Sequence, residues 1–221
     1  MVYIRKTAVE YAYKELKEAI IRGELSPGQR IYIEEWQERL GVSRTPIREA
    51  IRKLEAQQLI EKETNGWLYV KKISEEDIRN LYSVRLALEE LAIVEAIERA
   101  SSNEIEQLRF LQRSMEQSKN LLDIPKLGKN FHAMIYKFSR NPINQEMIKT
   151  IQTQIDRYRY LSTAVEKNRS QQAIEEHKAI LRAILARDVE NAKKLMRLHI
   201  LNSRDTVIQS LQKAGGEGAK N

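Results

Sequence analysis

The chain holds only three histidines, His132, His177 and His199, and no cysteine. Imidazole is a ligand for Zn²⁺, Ni²⁺ and other late divalent metals. The lack of cysteine excludes disulfides, thiolate zinc sites and thiol nucleophiles. Asp188, after Arg187, reads as the N-cap of a new helix. His177 lies 11 residues before Asp188 and His199 lies 11 after it. In an antiparallel helical hairpin the two stand at the same height. Each also falls on an apolar stripe: Ile174, His177, Leu181 and Ile184 on the first helix, and Ala192, Met196, His199 and Ser203 on the second. His132 follows Phe131 and precedes Ile135, so it too lies near a buried face. Three inward imidazoles on three helices predict a divalent metal site, zinc or nickel, with one position open to water or a ligand. The competing reading is three separate buried histidines, each with its own hydrogen-bond partner.

A metalloenzyme needs a general acid or base beside the metal. No His-Glu-x-x-His run occurs, and Glu176, next to His177, points about 100° away from it on a helix. An enzyme is therefore not expected. Arg85 and Glu89, four apart on one helix, form either an ion pair of small worth or a site where the Arg85 fork holds a ligand carboxylate.

A second constellation lies near the N-terminus. A short helix over 33–40, a turn at Gly41 and a helix over 44–57 make a helix-turn-helix pattern. Ser43 is placed to cap the second helix, and Pro46 sits in its first turn. Ile47, Ala50, Ile51 and Leu54 form the buried stripe. Arg44, Arg48 and Arg52 share the opposite face, where arginine can contact guanine or phosphate. Ser43 and Thr45 hydroxyls can reach phosphates beside the helix N-terminus. The chain's net charge is +7 and its pI about 9.5. That excess is local: residues 39–53 hold Arg39, Arg44, Arg48, Arg52 and Lys53 against Glu49 alone, as a nucleic-acid footprint requires.

The elements that carry these residues are mostly helical. Glycine and proline are scarce among 221 residues, at 8 and 4. A helix over 8–22 carries Ala8, Ala12, Leu16, Ala19 and Ile20 on one face, and the Gly23, Pro27 and Gly28 segment turns the chain. Ile60 and the run from Trp67 to Val70, separated by Asn65-Gly66, predict a two-stranded wing with Gly66 at its tip. Beyond a linker over 71–77, breaks fall at 101–103, 123–125, 141–142, roughly 166–170 and 187–188, which gives about six helices. The fold expected is mainly α: a winged helix-turn-helix over 1–72, an all-α bundle over 73–213 and a disordered tail over 214–221. No apolar leader core and no run of ~18 apolar residues is present, so a cytoplasmic protein without membrane contact is expected.

The run Leu40-Gly41-Val42-Ser43-Arg44-Thr45-Pro46-Ile47-Arg48-Glu49-Ala50-Ile51 resembles the core of the GntR family of bacterial transcription regulators. Ile21 to Gly28 resembles the segment that precedes that core. Trp36 departs from the small or aliphatic residue usual there and reads as core packing. Residues 74–211 resemble the all-helical FCD effector domain, through Asn130-Phe131-His132, Asn141-Pro142, Glu176-His177 and Met196 to His199. The resemblance implies a homodimer on palindromic operator DNA, with Arg44, Thr45 and Arg48 at DNA-contacting positions and Gly66 at the wing tip. It further implies repression, and a small carboxylate effector at a metal held by His132, His177 and His199. One anionic ligand of that pattern is missing. Gly128 stands four before His132, where the family has Asp, and Asp123 is too far round the helix to replace it. A regulator with purely structural histidines and an apolar effector, or none, remains the alternative.

Overall fold

The computed structural model describes residues 7–163 and 167–217. The chain divides into two units, Met1–Ser74 with Gln152–Leu161, and Glu75–Ile151 with Ser162–Asn221.

The first unit opens with α1 (Ala8–Ile21), started by a reciprocal capping box between Thr7 and Glu10. Its buried stripe is Ala12, Leu16, Ala19 and Ile20. After β1 (Arg30–Ile31) come α2 (Ile33–Leu40) and α3 (Arg44–Ala56). Gly41 ends α2 with φ of +64°, a left-handed conformation in which a side chain is strained. That sharp stop lets α3 start three residues later. Ile47, Ala50, Ile51 and Leu54 of α3 pack with the α1 stripe and Trp36. Ser43 occupies the N-cap position, but its side chain makes no capping bond.

The wing has three strands rather than the two expected. β3 (Leu68–Val70) pairs antiparallel with β2 (Ile60–Lys62) on one side and with β1 on the other. A two-residue strand is too short to show a period-2 pattern, so β1 had no signature in the sequence. At the tip Gly66 has φ of +84°.

The unit also includes residues 152–161, which the sequence assigns to the C-terminal domain. Within it, Arg157 Nη2 donates to the Lys71 carbonyl at 2.6 Å and the Gln154 amide donates to the Gln57 carbonyl at 3.1 Å. These contacts satisfy carbonyls at the end of α3 and just beyond β3.

The second unit is built from α4 (Glu75–Arg99), α5 (Ser102–Glu116), a 3-10 turn at Leu121–Asp123, α6 (Ile124–Phe138), the start of α7 (Pro142–Thr163), α8 (Lys167–Leu185) and α9 (Val189–Glu217). Its apolar core includes Ile78, Ile93, Leu108, Met115, Phe131 and Ile135. α8 turns into α9 at Arg187, whose φ is +52°, and Asp188 caps α9 by accepting from the Asn191 amide at 3.1 Å. The predicted break near 166–170 falls partly on 164–166, outside the described residues. The predicted tail begins at 214, whereas α9 runs through Glu217; residues 218–221 lie outside the described residues.

Candidate functional site

In the second unit, the helical periods aim three imidazoles at one point. His132 lies on the face of α6 that buries Phe131 and Ile135, His177 on the α8 face of Ile174 and Leu181, and His199 on the α9 face of Met196 and Ala192. All three are buried. The Nε2 atom of His132 lies 3.1 Å from that of His199 and 3.3 Å from that of His177. Among the described residues these three form a potential metal-binding group, with donor atoms within 4.8 Å of one another. Phe131 meets the His177 ring edge-on at 5.0 Å between centroids.

The opposite edges of the rings fix which nitrogen faces inward. His177 Nδ1 donates to the Ala173 carbonyl at 2.7 Å, an atom that can only accept. His132 Nδ1 lies 3.0 Å from Glu89 Oε2, and His199 Nδ1 lies 2.6 Å from Glu176 Oε2. With each Nδ1 hydrogen so engaged, a neutral ring turns an Nε2 lone pair to the centre. Lone pairs at 3.1–3.3 Å repel unless a cation or proton lies between them. A tetrahedral ion with bonds of about 2.05 Å sets its donors roughly 3.3 Å apart. The residues therefore fit a late divalent ion.

Two carboxylates and two arginines stand behind the rings. Glu89 accepts from Tyr136 Oη at 2.5 Å and from Arg85 Nε at 3.2 Å. Burial pushes the Glu89 carboxyl up, but His132, Arg85 and Tyr136 outweigh it and hold the group well below the usual carboxylate range. Burial also opposes the Arg85 charge, yet Glu89 and the flanking tyrosines leave its pKa raised. The Arg85 Nη1 atom is buried and has no hydrogen-bond partner among the described residues. Glu176 accepts from Arg169 Nη2 at 2.8 Å and from the Asn202 amide at 2.7 Å.

The four-residue spacing pairs Arg85 with Glu89 but carries no sign that Glu89 also backs His132. On its own helix Glu176 points away from its neighbour His177, and it serves His199 on the next helix instead. Arg169 and Tyr136 carried no signal, because only tertiary packing brings them to these carboxylates.

In the first unit, Ser43, Arg44, Thr45, Arg48 and Arg52 are all exposed on and before α3, and Gly66 is exposed at the wing tip. Arg44 pairs with Glu34 at 3.3 Å in an exposed, weak ion pair that a phosphate can displace. Arg30, on β1, had no local signature. Its guanidinium lies over the exposed Trp67 ring at 3.7 Å and near Tyr32 at 4.8 Å, which holds a cation on the wing. No described helix is long and apolar enough to cross a membrane.

Known proteins share this plan. Residues 8–70 match the family of bacterial regulatory proteins named gntR, and residues 80–202 match the FCD domain. An uncharacterized HTH-type transcriptional regulator of Bacillus subtilis strain 168, YdhC, is 27% identical over 216 residues, covering 95% of this chain and 93% of its own. The HTH-type transcriptional repressor RspR of Escherichia coli K12 is 28% identical over 203 residues, covering 90% and 89%. The solved structure of E. coli McbR/YncC superposes with a TM-score of 0.75 at 23% identity, covering 94% of this chain and all of that one.

Proposed function

This chain belongs to the GntR family of DNA-binding transcriptional regulators, with an FCD effector-binding domain as its C-terminal part, and from that premise we propose that it is a homodimeric, cytoplasmic repressor controlled by a small carboxylate at a three-histidine metal centre. The dimer binds a palindromic operator, the two α3 helices entering successive major grooves. Arg44, Thr45 and Arg48 meet base edges and phosphates. The Ser43 hydroxyl and Arg52 hold the backbone, and the wing around Gly66 reaches the adjacent groove.

His132, His177 and His199 hold Zn²⁺ or Ni²⁺, which supplies a Lewis-acidic position for an effector oxygen. Glu89, Glu176 and the Ala173 carbonyl hold the rings in the tautomer that presents Nε2. Arg85, with a buried and unpartnered Nη1, offers a donor to an effector carboxylate. The effector switches the protein only if it binds the DNA-competent and DNA-incompetent arrangements unequally.

The observation that carries the metal reading is the convergence of three Nε2 atoms whose Nδ1 edges are all anchored. Metal content of the untagged protein, measured beside His132→Ala, tests it. The expected result is one equivalent per chain in wild type and loss in the variant. No metal in either, even after loading, makes the histidines structural and turns the effector search to apolar ligands.

A further inference from the structure

The chain has two tryptophans, and the fold treats them oppositely. Trp36 is buried in the core of the first unit, whereas Trp67, directly after the wing-tip Gly66, is 46% exposed. The backbone of Trp67 is fixed on both sides. Its amide donates to Asn65 Oδ1 at 2.8 Å, and its carbonyl accepts from the Glu63 amide at 2.9 Å. A closed turn therefore presents the indole at the tip.

Strand register gives this indole its company. Arg30 stands opposite Tyr69 and Ile31 opposite Leu68. Alternation then puts Arg30, Tyr32, Trp67 and Tyr69 on the outer face of the wing, while Ile31, Ile60 and Val70 are buried on the inner one. Neither Trp67 nor Tyr32 belongs to the apolar core of the unit. The Arg30 guanidinium lies 3.7 Å from the Trp67 ring centroid and 4.8 Å from that of Tyr32. Stacking fixes the plane of the fork and shields its faces, but leaves its N–H edges free. Arg39 and Arg44 are tied to Glu24 and Glu34. Among the described residues no carboxylate pairs with Arg30, the Glu61 that faces Tyr69 included. A cation oriented before binding loses less freedom on binding.

Building on the operator reading above, we propose that Arg30, held flat on Trp67, is a second reader of DNA sequence, which enters the minor groove beside the α3 half-site and selects A·T pairs there. The A·T minor groove is narrow, and its strong negative potential draws arginine. The guanine 2-amino group obstructs the same path in a G·C pair. The guanidinium is weakly hydrated and gives up its water readily. The indole behind it adds a flat apolar face that packs on the sugar wall. Specificity then has two parts: α3 reads base edges in the major groove, and the stacked pair reads the shape of the flank.

Operators selected from a random duplex pool by the full chain, and separately by Arg30→Ala and Arg30→Lys, test this. Wild type is expected to select A·T pairs flanking the half-sites. It should bind such a duplex about 10-fold more tightly than one with G·C flanks, within the usual cost of a wrong base pair. Inosine·cytosine flanks, which lack the 2-amino group, should restore the affinity. Both variants should keep the half-site preference, and their discrimination between flanks should fall below about two-fold. Lysine keeps the charge but not the planar fork. Equal flank discrimination in wild type and Arg30→Ala, or full rescue by Arg30→Lys, overturns the proposal and leaves the operator reading standing. A wild type that selects no sequence overturns both. Should the variants fail to fold, acrylamide quenching of wild-type fluorescence decides. Trp67 is the exposed tryptophan, so quenching should fall when the selected duplex is bound, and unchanged quenching overturns the contact.

Discussion

Around α3 the first unit turns Arg44, Arg48 and Arg52 outward over a wholly apolar stripe, while around α6 the second unit takes Arg85, Glu89 and three histidines into its core. Between residues 7 and 74 no described charged residue is buried. A DNA surface needs cations that exchange water for phosphate, so its charges stay solvated and add little to folding. A small-ligand centre needs polar groups already stripped of water, so its charges must partner one another within the fold. On the function proposed above, one unit separates function from stability, and the other places both in the same side chains.

Glu89→Gln tests that difference hardest. It leaves Arg85 buried without its counter-charge, and should destabilise the protein by about 3–5 kcal/mol, read by denaturant titration of circular dichroism. The pH dependence follows from the sign of the shift. The folded-state pKa of Glu89 is depressed below its ordinary value of 4.5, so its stabilisation is full above that value and is lost as pH falls towards the folded pKa. The variant should show a flatter acid limb. A variant as stable as wild type would mean the buried charges are separable from the fold after all.

Arg44→Ala probes the other side. On a duplex selected by wild type from a random pool, it should cost about 1–3 kcal/mol of affinity and relax preference at one base pair. Its unfolding curve should match that of wild type, since Arg44 is exposed and paired only with exposed Glu34. A large loss of stability would erase the contrast. The smallest expected effect is that of Gly41→Ala, which forces a side chain into the left-handed turn between α2 and α3. A cost of about 1 kcal/mol in unfolding free energy is expected.

The two units also differed in how far the sequence revealed them. The α3 stripe and the cationic face lie within eleven residues, from Arg44 to Leu54, so one helical period determined both. The inward faces of α8 and α9 were legible for the same reason, and the Asp188 turn set His177 and His199 level. What escaped was non-local. The carboxylates behind His132 and His199 come from α4 and α8, at separations of 43 and 23 residues, and a single-helix period says nothing of such pairs. The return of residues 152–161 to the first unit was hidden likewise, because α7 reads as one helix from end to end. Gly215 and Gly216 suggested a tail by composition, yet α9 carries its period through them.

The burial of the histidine cluster also sets a clock. His132, His177 and His199 are only 2–3% exposed, so whatever occupies their centre enters or leaves only when the surrounding helices part. Occupancy then changes at the pace of local opening, a process of microseconds to seconds, and not at the pace of diffusion. On the function proposed above, such a regulator would average over brief fluctuations in its ligand and record only those that outlast its own breathing.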